Sequence, residues 1–334
     1  METERIRVWC EDLPFSELAR PAVIRLLNEH RLSPLIATRS ANLDAPLASA
    51  IGALTRGGVT VGLWPLLSEA DGYWANACSA NAMAALVETV VRFVRDNDLT
   101  VNTIAIDIEP PLTALRSVQR TRGIERVRAL ARALATPDRA QRLRQAVASF
   151  TRTQSYLQFH GFETLAAGIP LVILDHGLRI PLVQDALATP LLDVPWDRIS
   201  WMTYTSMASG YFGPLVSRAD ARALMSLLLE RALAFDRRHT AVSIGLTSTG
   251  QMKDEEIYRS PIDLALDVAA VRALGVDDIS VYSLEGILAR PEPERWFAAL
   301  ATPERRAPIT VTARLMLDAA WVATRTASLL APPI

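Results

Sequence analysis

The stretch Val101-Asn-Thr-Ile-Ala-Ile-Asp-Ile-Glu-Pro-Pro111 predicts a strand that ends in two carboxylates. Its isoleucines favour a strand, and the Pro-Pro pair ends it because proline cannot donate a ladder hydrogen bond. Alternate side chains of a strand share one face. Asp107 and Glu109 therefore lie on the same face, at the carboxyl end of an otherwise apolar strand. This end of the strand is a candidate site.

Strand-like and helix-like segments alternate outward from this stretch, which is typical of a parallel sheet covered by helices. Eight strands are predicted, at Arg5–Cys10, Pro34–Thr38, Val59–Trp64, Val101–Ile108, Pro170–Leu174, Arg198–Tyr204, Thr240–Leu246 and Asp278–Ser283. Eight strand–helix units close a TIM barrel, so we expect a (β/α)8 barrel of the α/β class. An open doubly wound sheet is the alternative. Such sheets usually carry a Gly-rich loop after the first strand, where this chain reads Cys10-Glu-Asp-Leu-Pro-Phe15.

The length of 334 residues, half of them hydrophobic, fits one barrel domain over residues 1–334. The fourth crossover is long and rich in arginine, and we expect it to form a helical insertion over about residues 112–167. A C-terminal helical extension is expected over about residues 304–334. Its apolar run, Ile309–Leu330, contains three charged residues, which are too costly for a simple membrane-spanning helix. We expect it to cap the barrel or to form a homodimer contact.

The composition excludes several classes of partner and mechanism. The formal net charge is −1 and there is no long Lys/Arg run, so neither nucleic acid nor an anionic membrane is an expected partner. Lys253 is the only lysine, so a Schiff-base enzyme would have to use it. Cys10 and Cys78 are too few for a disulfide framework and indicate a reducing compartment. The N-terminus lacks the pattern of a secretion signal, and a cytoplasmic location is expected.

Aromatic and acidic residues accumulate after the predicted strands, where barrel enzymes carry their functional groups. The candidates are Trp9, Glu11, Trp64, Trp74, Asp107, Glu109, Asp175, His176, Met202, Tyr204, Tyr282 and Glu285. Exposed aromatic rings around a mouth lined with carboxylates suit a carbohydrate, because the C–H faces of a sugar stack on rings while its hydroxyls bond to acids. The pattern therefore favours a small-molecule carbohydrate or glycoconjugate as substrate.

Two of these segments resemble the motifs of the family 18 glycoside hydrolases, the chitinases and their relatives. That family carries Asp-Gly-x-Asp-x-Asp-x-Glu on strand four and Met-x-Tyr-Asp on strand six. Here the corresponding segments are Asn102-Thr-Ile-Ala-Ile-Asp-Ile-Glu109 and Met202-Thr-Tyr-Thr205. The chain departs from the family at Ala105, which replaces the inner Asp of strand four, and at Thr205, which replaces the Asp after the tyrosine. Tyr282 lies near the place of the eighth-strand tryptophan.

The resemblance implies a (β/α)8 glycosidase that needs no cofactor. It makes Glu109 the general acid, Asp107 the carboxylate beside it and Tyr204 the residue that steadies the acetamido oxygen of the substrate. Substrate assistance requires no second nucleophilic carboxylate. A mechanism with two enzyme carboxylates is the fallback, with Glu109 as acid and Glu285 or Glu11 as nucleophile or base. Trp9, Trp64, Trp74, Met202 and Tyr282 would contact the sugar.

Two other classes of function compete with the hydrolase. A divalent-metal barrel, either an isomerase or a phosphodiester hydrolase, would use oxygen ligands from Glu11, Asp107, Glu109, Asp175 and Glu285 together with His176. A non-catalytic sugar-binding barrel is favoured by the altered acidic positions of the motif and opposed by the retained Glu109.

Overall fold

The chain folds as a closed barrel of eight parallel strands, seen in a computed structural model. The structure describes residues 4–117, 121, 125, 128–129, 132, 138–212, 216–251, 253 and 255–330. The strands follow one another around the barrel in sequence order, and β1 pairs with β8 to close it. They are β1 Arg5–Cys10, β2 Leu32–Thr38, β3 Gly62–Pro65, β4 Thr103–Ile108, β5 Glu163–Gly168, β6 Arg198–Met202, β7 Thr240–Gly245 and β8 Asp278–Tyr282. The predicted (β/α)8 class is confirmed.

Helices surround the barrel on the outside. They are α1 Phe15–Leu18, α2 Pro21–Glu29, α3 Ala45–Arg56, α4 Ala80–Asp96, α5 Leu112–Ser117, α6 Arg139–Phe159, α7 Leu182–Leu187, α8 Thr205–Phe212, α9 Arg218–Asp236, α10 Pro261–Arg272, α11 Leu284–Leu288, α12 Pro293–Ala299 and α13 Val311–Leu330. Outward-facing strand residues such as Ile104 and Val242 are fully buried against these helices. This layer between sheet and helices forms the main hydrophobic core.

The prediction of strand five is wrong. The run Pro170–Leu174 lies in a 3₁₀ helix, Pro170–Asp175, and the strand is Glu163–Gly168, inside the segment expected to be a helical insertion. The apolar run is buried because it packs against α9, α7 and α13, not because it belongs to the sheet. Proline at its start suits the first position of a helix, where no hydrogen-bonding N–H is needed. Much of the predicted arginine-rich insertion, between residues 118 and 137, lies outside the described residues.

A buried ionic cluster fills the amino end of the barrel interior. Arg7 on β1 is almost fully buried and forms ion pairs with Glu163 of β5, at 2.8 Å, and with Asp278 of β8. Arg198 of β6 lies 3.8 Å from Glu163 and 4.0 Å from Asp278. Thr103 of β4 donates a hydrogen bond to Glu163 at 3.2 Å. We call these five residues the basal cluster. These contacts join β1, β4, β5, β6 and β8 across the amino end of the barrel interior.

The C-terminal helix α13 packs on α9 through the buried residues Ala313 and Leu317. Its other face leaves large apolar side chains exposed, at Val311, Leu315, Val322, Leu329 and Leu330. The predicted homodimer contact and the single domain over residues 1–334 stay predictions. Within the described part of the chain, no helix has both the length and the apolar character needed to cross a membrane.

Candidate active site

The loop after β3 holds the end of β4 in place by strand-like pairing. The backbone N–H of Ala75 donates to the Asp107 carbonyl at 2.9 Å, and the Glu109 N–H donates to the Ala75 carbonyl at 3.0 Å. The Trp74 indole N–H donates to the Pro110 carbonyl at 2.7 Å. The loop after β3 therefore holds the backbone of both acids by hydrogen bonds to main-chain groups, and these bonds do not involve their carboxyl groups.

Asp107 lies inside the barrel mouth with only 7% of its surface exposed. Among the described residues, no donor reaches its buried Oδ1 atom and no cationic side chain forms an ion pair with it. Burial and, to a smaller extent, the negative charge of Glu11 raise the pKa of this carboxyl group to about 8. Near neutral pH, Asp107 is therefore either protonated or a buried anion that no described cation or donor offsets.

Glu109 is partly exposed at the same mouth. Desolvation raises its pKa well above the ordinary value, and the charges of Asp107, Glu255 and Glu11 act in the same direction. The three acids that raise this pKa all follow the carboxyl ends of strands or lie there, as Glu109 does. A raised pKa is what a general acid needs to carry its proton at working pH.

Glu11 is buried in a cradle of donors. The hydroxyl groups of Tyr73 and Tyr282 both donate to its carboxylate, and the Gln251 amide donates at 3.0 Å. Arg39 lies 3.8 Å from the same carboxylate and donates to the Tyr73 hydroxyl at 3.1 Å. This network links β1, the loop after β3, β8 and the loop after β7 across the mouth.

Glu285, in the first turn of α11, joins the same region through the Glu11 backbone N–H, which donates to its Oε1 at 3.2 Å. Desolvation raises the pKa of Glu285 to about 7. Its buried Oε2 has no hydrogen-bonding partner within the described part of the chain.

Tyr204 lies beyond the end of β6, and its ring is buried with its centroid 6.4 Å from that of Tyr282. Burial raises the pKa of its phenol, and the charges of Asp107 and Glu109 raise it in the same direction, so the phenol lies within the electrostatic influence of both acids. Gly245 makes this position available, because an added Cβ would lie 3.4 Å from the Tyr204 ring and 3.1 Å from the Tyr282 carbonyl oxygen.

Thr205, the residue after this tyrosine, turns away from the mouth. Its hydroxyl donates to the buried carboxylate of Asp267 on α10, which also accepts from the Tyr258 hydroxyl at 2.6 Å and pairs with Arg222. The position at which the family carries an acid is therefore committed to anchoring the end of β6 to the outer helices.

The tryptophans of the mouth are buried, so the expectation of an exposed aromatic rim is wrong. Trp9, Trp64 and Trp74 are 2%, 3% and 5% exposed. Trp9 and Trp64 meet edge to face with centroids 4.8 Å apart, and the Trp9 indole donates to the Ser243 hydroxyl at 3.1 Å. Met202 is buried with them. These rings belong to the hydrophobic cluster inside the barrel.

The structure does not bring Asp175 and His176 to the mouth. The Asp175 carboxylate accepts from the backbone N–H groups of Val183 and Gln184 at the start of α7, at 2.8 and 2.7 Å, and His176 packs on Phe235. Asp175 ends the 3₁₀ helix that occupies the place of the predicted strand, and His176 follows it. Among the described residues, no three His, Cys, Asp or Glu side chains are grouped so as to hold a metal ion. Asp175 and His176 therefore do not join the other oxygen donors foreseen for a metal barrel.

Three mouth residues were not among the sequence-based candidates: Arg39, Gln251 and Glu255. Each follows the carboxyl end of a strand, Arg39 after β2 and the other two after β7. That position is the signal that could have found them.

A cavity of about 540 Å³ opens at the same end of the barrel, outside the ring of strands. Its lining includes Ser209 of α8 and Glu256, whose side chains are hydrogen bonded at 3.3 Å, and Arg218 of α9. The Ser206 hydroxyl, one helical turn before Ser209, donates to the Gly245 carbonyl at the end of β7. The cavity therefore flanks the mouth and lies behind the Tyr204 segment.

Comparison with known proteins gives matches in structure alone. No family sequence model and no curated protein matches the chain. Its fold is similar to the glycoside hydrolase domain of PgaB (BpsB) from Bordetella bronchiseptica, with a TM-score of 0.54 and 12% identity over 89% of this chain and 99% of that domain. A chitinase from Chromobacterium violaceum matches with a TM-score of 0.53 and 13% identity, covering 90% of this chain and 98% of the other. A class V chitinase from Pseudomonas fluorescens gives 0.52 and 12%, over 90% and 99%. At such identities the likeness shows the fold, and it confirms the resemblance to family 18 glycoside hydrolases at that level.

Proposed function

We propose that this chain is a glycoside hydrolase in which Glu109 is the general acid and Asp107 its partner carboxylate. One observation carries the proposal: two carboxyl groups stand together at the carboxyl end of a closed barrel, with their pKa values raised by burial and by neighbouring carboxylates. A structural acid is offset by a cation or by donors, as the carboxylate of Asp267 is by Arg222 and by the hydroxyl groups of Thr205 and Tyr258. The similarity in fold to chitinases supports a carbohydrate as the substrate class.

The proposed chemistry begins with proton transfer from Glu109 to the glycosidic oxygen of the leaving group. Asp107 keeps the pKa of Glu109 high before the reaction and stabilises the positive charge that develops on the sugar. Tyr204 stands beside both acids and offers a hydroxyl group to the substrate. Once Glu109 has lost its proton, it can activate water for the second step.

Two routes can supply the nucleophile or base that acts together with Glu109. In the substrate-assisted route the acetamido oxygen is the nucleophile and Tyr204 orients it. Ala105 and Thr205 stand where family 18 carries acids, so no carboxylate at those two positions assists. In the two-carboxylate route the enzyme supplies the nucleophile or base. Glu285 suits that role better than Glu11, because Glu11 already accepts from three donors whereas Glu285 keeps one oxygen without a described partner.

The test is Glu109→Gln, assayed on a panel of aryl β-glycosides that includes the N-acetylglucosaminide. Loss of the proton donor should lower kcat by about 10²–10⁴-fold while the sugar still binds, since the amide keeps the shape of the side chain. Glu88→Gln on the exposed face of α4 is the matched control and should leave kcat unchanged. An active Glu109→Gln protein would refute the assignment.

The same assay separates the competing classes. Full activity after dialysis against a chelator would remove the metal-dependent barrel. A wild-type protein that binds sugars but turns none of them over would favour the sugar-binding barrel instead.

A further inference from the structure

Tyr73, in the loop after β3, is buried, and its hydroxyl group is hydrogen bonded on three sides. The hydroxyl donates to the carboxylate of Glu11, and it accepts from the Gln251 amide at 2.7 Å and from the Arg39 guanidinium at 3.1 Å. A phenol hydroxyl has one donor site and two acceptor sites, so all three are used. The partners belong to the segments that follow β1, β7 and β2. Contacts from three separate strand ends therefore fix the position of this hydroxyl.

The backbone of Tyr73 has the left-handed conformation, with a φ of +67°. A bulky side chain rarely adopts this conformation, and it persists where the surrounding structure imposes it. Two main-chain hydrogen bonds also hold the residue: its N–H donates to the Ser68 carbonyl at 3.0 Å, and its carbonyl accepts from the Leu67 N–H at 2.7 Å. Without the contacts of the hydroxyl, we expect the segment to relax toward an ordinary φ, because less of the structure then opposes the backbone strain.

The two residues that follow Tyr73 are hydrogen bonded to the segment that carries the proposed general acid. The Ala75 carbonyl accepts from the backbone N–H of Glu109 at 3.0 Å. The Trp74 ring meets the Tyr73 ring edge to face, with centroids 5.3 Å apart, and its indole N–H donates to the Pro110 carbonyl at 2.7 Å. A rotation of the backbone at Tyr73 would therefore move the groups that hold Glu109 and the residue after it.

From this arrangement we infer that Tyr73 is a positioning residue for Glu109. The contacts of its hydroxyl hold the loop after β3 in one conformation, and that loop holds Glu109 at the distance and angle that proton transfer to the substrate requires. The inference rests on the proposed function. Because every hydrogen-bonding site of the hydroxyl is occupied, Tyr73 acts through the loop and not by contact with the substrate. Misplacement of a catalytic group by about 1 Å can lower a rate by about 10²-fold.

The experiment uses Tyr73→Phe, which keeps the ring and removes the hydroxyl group. Hydrolysis is compared on two aryl β-glycosides of the sugar that the wild-type protein cleaves fastest, one with phenol and one with 2,4-dinitrophenol as the leaving group. Phenol needs a proton from Glu109 to depart, whereas dinitrophenolate is stable enough to leave without one. The variant should therefore lose about 10–10²-fold in kcat/KM on the phenyl glycoside and less than about threefold on the dinitrophenyl glycoside. A general loss of structure would lower both values equally.

A second measurement does not depend on turnover. Hydrogen exchange of the Ala75 and Glu109 N–H groups should be at least about tenfold faster in Tyr73→Phe than in the wild type, while the amides of β8 keep their rates. Tyr156→Phe is the matched control, because it removes the same group from a half-buried tyrosine near the end of α6, which leads into the amino end of β5. It should change neither measurement. Gln251→Ala removes one of the three partners and should give the same pattern as Tyr73→Phe with smaller effects.

Equal effects on the two glycosides, including no effect on either, would overturn the inference and leave the glycoside hydrolase intact. Wild-type exchange rates at Ala75 and Glu109 in a folded Tyr73→Phe protein would overturn it as well. If Tyr73→Phe does not fold, Gln251→Ala decides by the same two measurements. A wild-type protein that hydrolyses no glycoside rejects the proposed function and this inference with it.

Discussion

Replacement of Arg7 by methionine should destabilise the protein strongly, because this side chain is the centre of the basal cluster. The guanidinium is buried, and its partners Asp278 and Glu163 have side-chain exposures of 1% and 26%. Without Arg7, Asp278 keeps Arg198 at 4.0 Å as its one cationic neighbour among the described residues, while Glu163 keeps Arg198 at 3.8 Å and Arg5 at the rim. Removal of one partner from a buried ion pair costs about 3–5 kcal/mol, since it leaves an uncompensated charge in the interior.

The matched control is Arg5→Met on the same strand. Arg5 pairs with the same Glu163, but 42% of its side chain is exposed, and exposed pairs contribute about 0–1 kcal/mol. Urea denaturation should therefore show a large loss of unfolding free energy for Arg7→Met and a small one for Arg5→Met. Arg7→Lys should fall between them, because it keeps the charge but loses the two-pronged contact.

A double variant separates the lost pair from the stranded charge. Burial raises the pKa of Asp278 despite the opposing effect of Arg7, so the pair does not fully offset the cost of desolvation. Arg7→Met combined with Asp278→Asn should then be more stable than Arg7→Met alone. If Arg7→Met and Arg5→Met cost the same, within about 0.5 kcal/mol, the reasoning about buried charge in this barrel is wrong.

Three further predictions concern the mouth and the surface. The free energy of unfolding should fall as pH rises from about 4 to about 8, by up to about 1.4 kcal/mol per unit for Asp107, because the unfolded chain releases this proton at a pKa near 3.8 and the folded protein only at about 8. Asp107→Asn should flatten this slope in pH-dependent denaturation, and an unchanged slope would contradict the shift. Gly245→Ala should lower the free energy of unfolding by about 1–3 kcal/mol and lower kcat, because its Cβ meets the Tyr204 ring and the Tyr282 carbonyl. Gly52→Ala within α3 is the control and should stabilise the protein. A Gly245→Ala protein with unchanged thermal stability and full activity would show that the mouth can relax. Sedimentation should give a dimer for the wild type and a monomer after Leu315→Glu with Val322→Glu on α13, and a monomeric wild type would remove the homodimer.

The barrel could be predicted from the sequence because seven of its strands combine a β-type pattern with a helix-forming segment after it. Strand five could not. Glu163–Gly168 contributes Ala166, Ala167 and Gly168, which have low strand propensity, and these residues form a strand because the neighbouring strands β4 and β6 pair with them. The apolar segment after it fitted the pattern better. Pairing with β4 and β6 determined which of these two segments forms the strand, and the residue pattern within one segment carries no information about such pairing.

The candidate site was partly predictable for a similar reason. The alternation along β4 placed Asp107 and Glu109 on one face, and position after a strand placed Glu11, Tyr204, Tyr282 and Glu285 at the same end. Burial of the tryptophans was not predictable, because it depends on small residues opposite them, such as Ala105 and Ala167, that leave room inside the barrel. The misplaced strand five carried Asp175 and His176 with it, and so produced two false candidates.

The pairing of Ala75 with the end of β4 has a consequence for how such a barrel can diversify. The backbone N–H of Glu109, the proposed proton donor, is hydrogen bonded to the loop after β3. A longer or shorter loop would change the position of the Glu109 side chain without a substitution in any barrel strand. New specificities could therefore arise from changes in a surface segment, while the ring of strands and its charged base stay as they are.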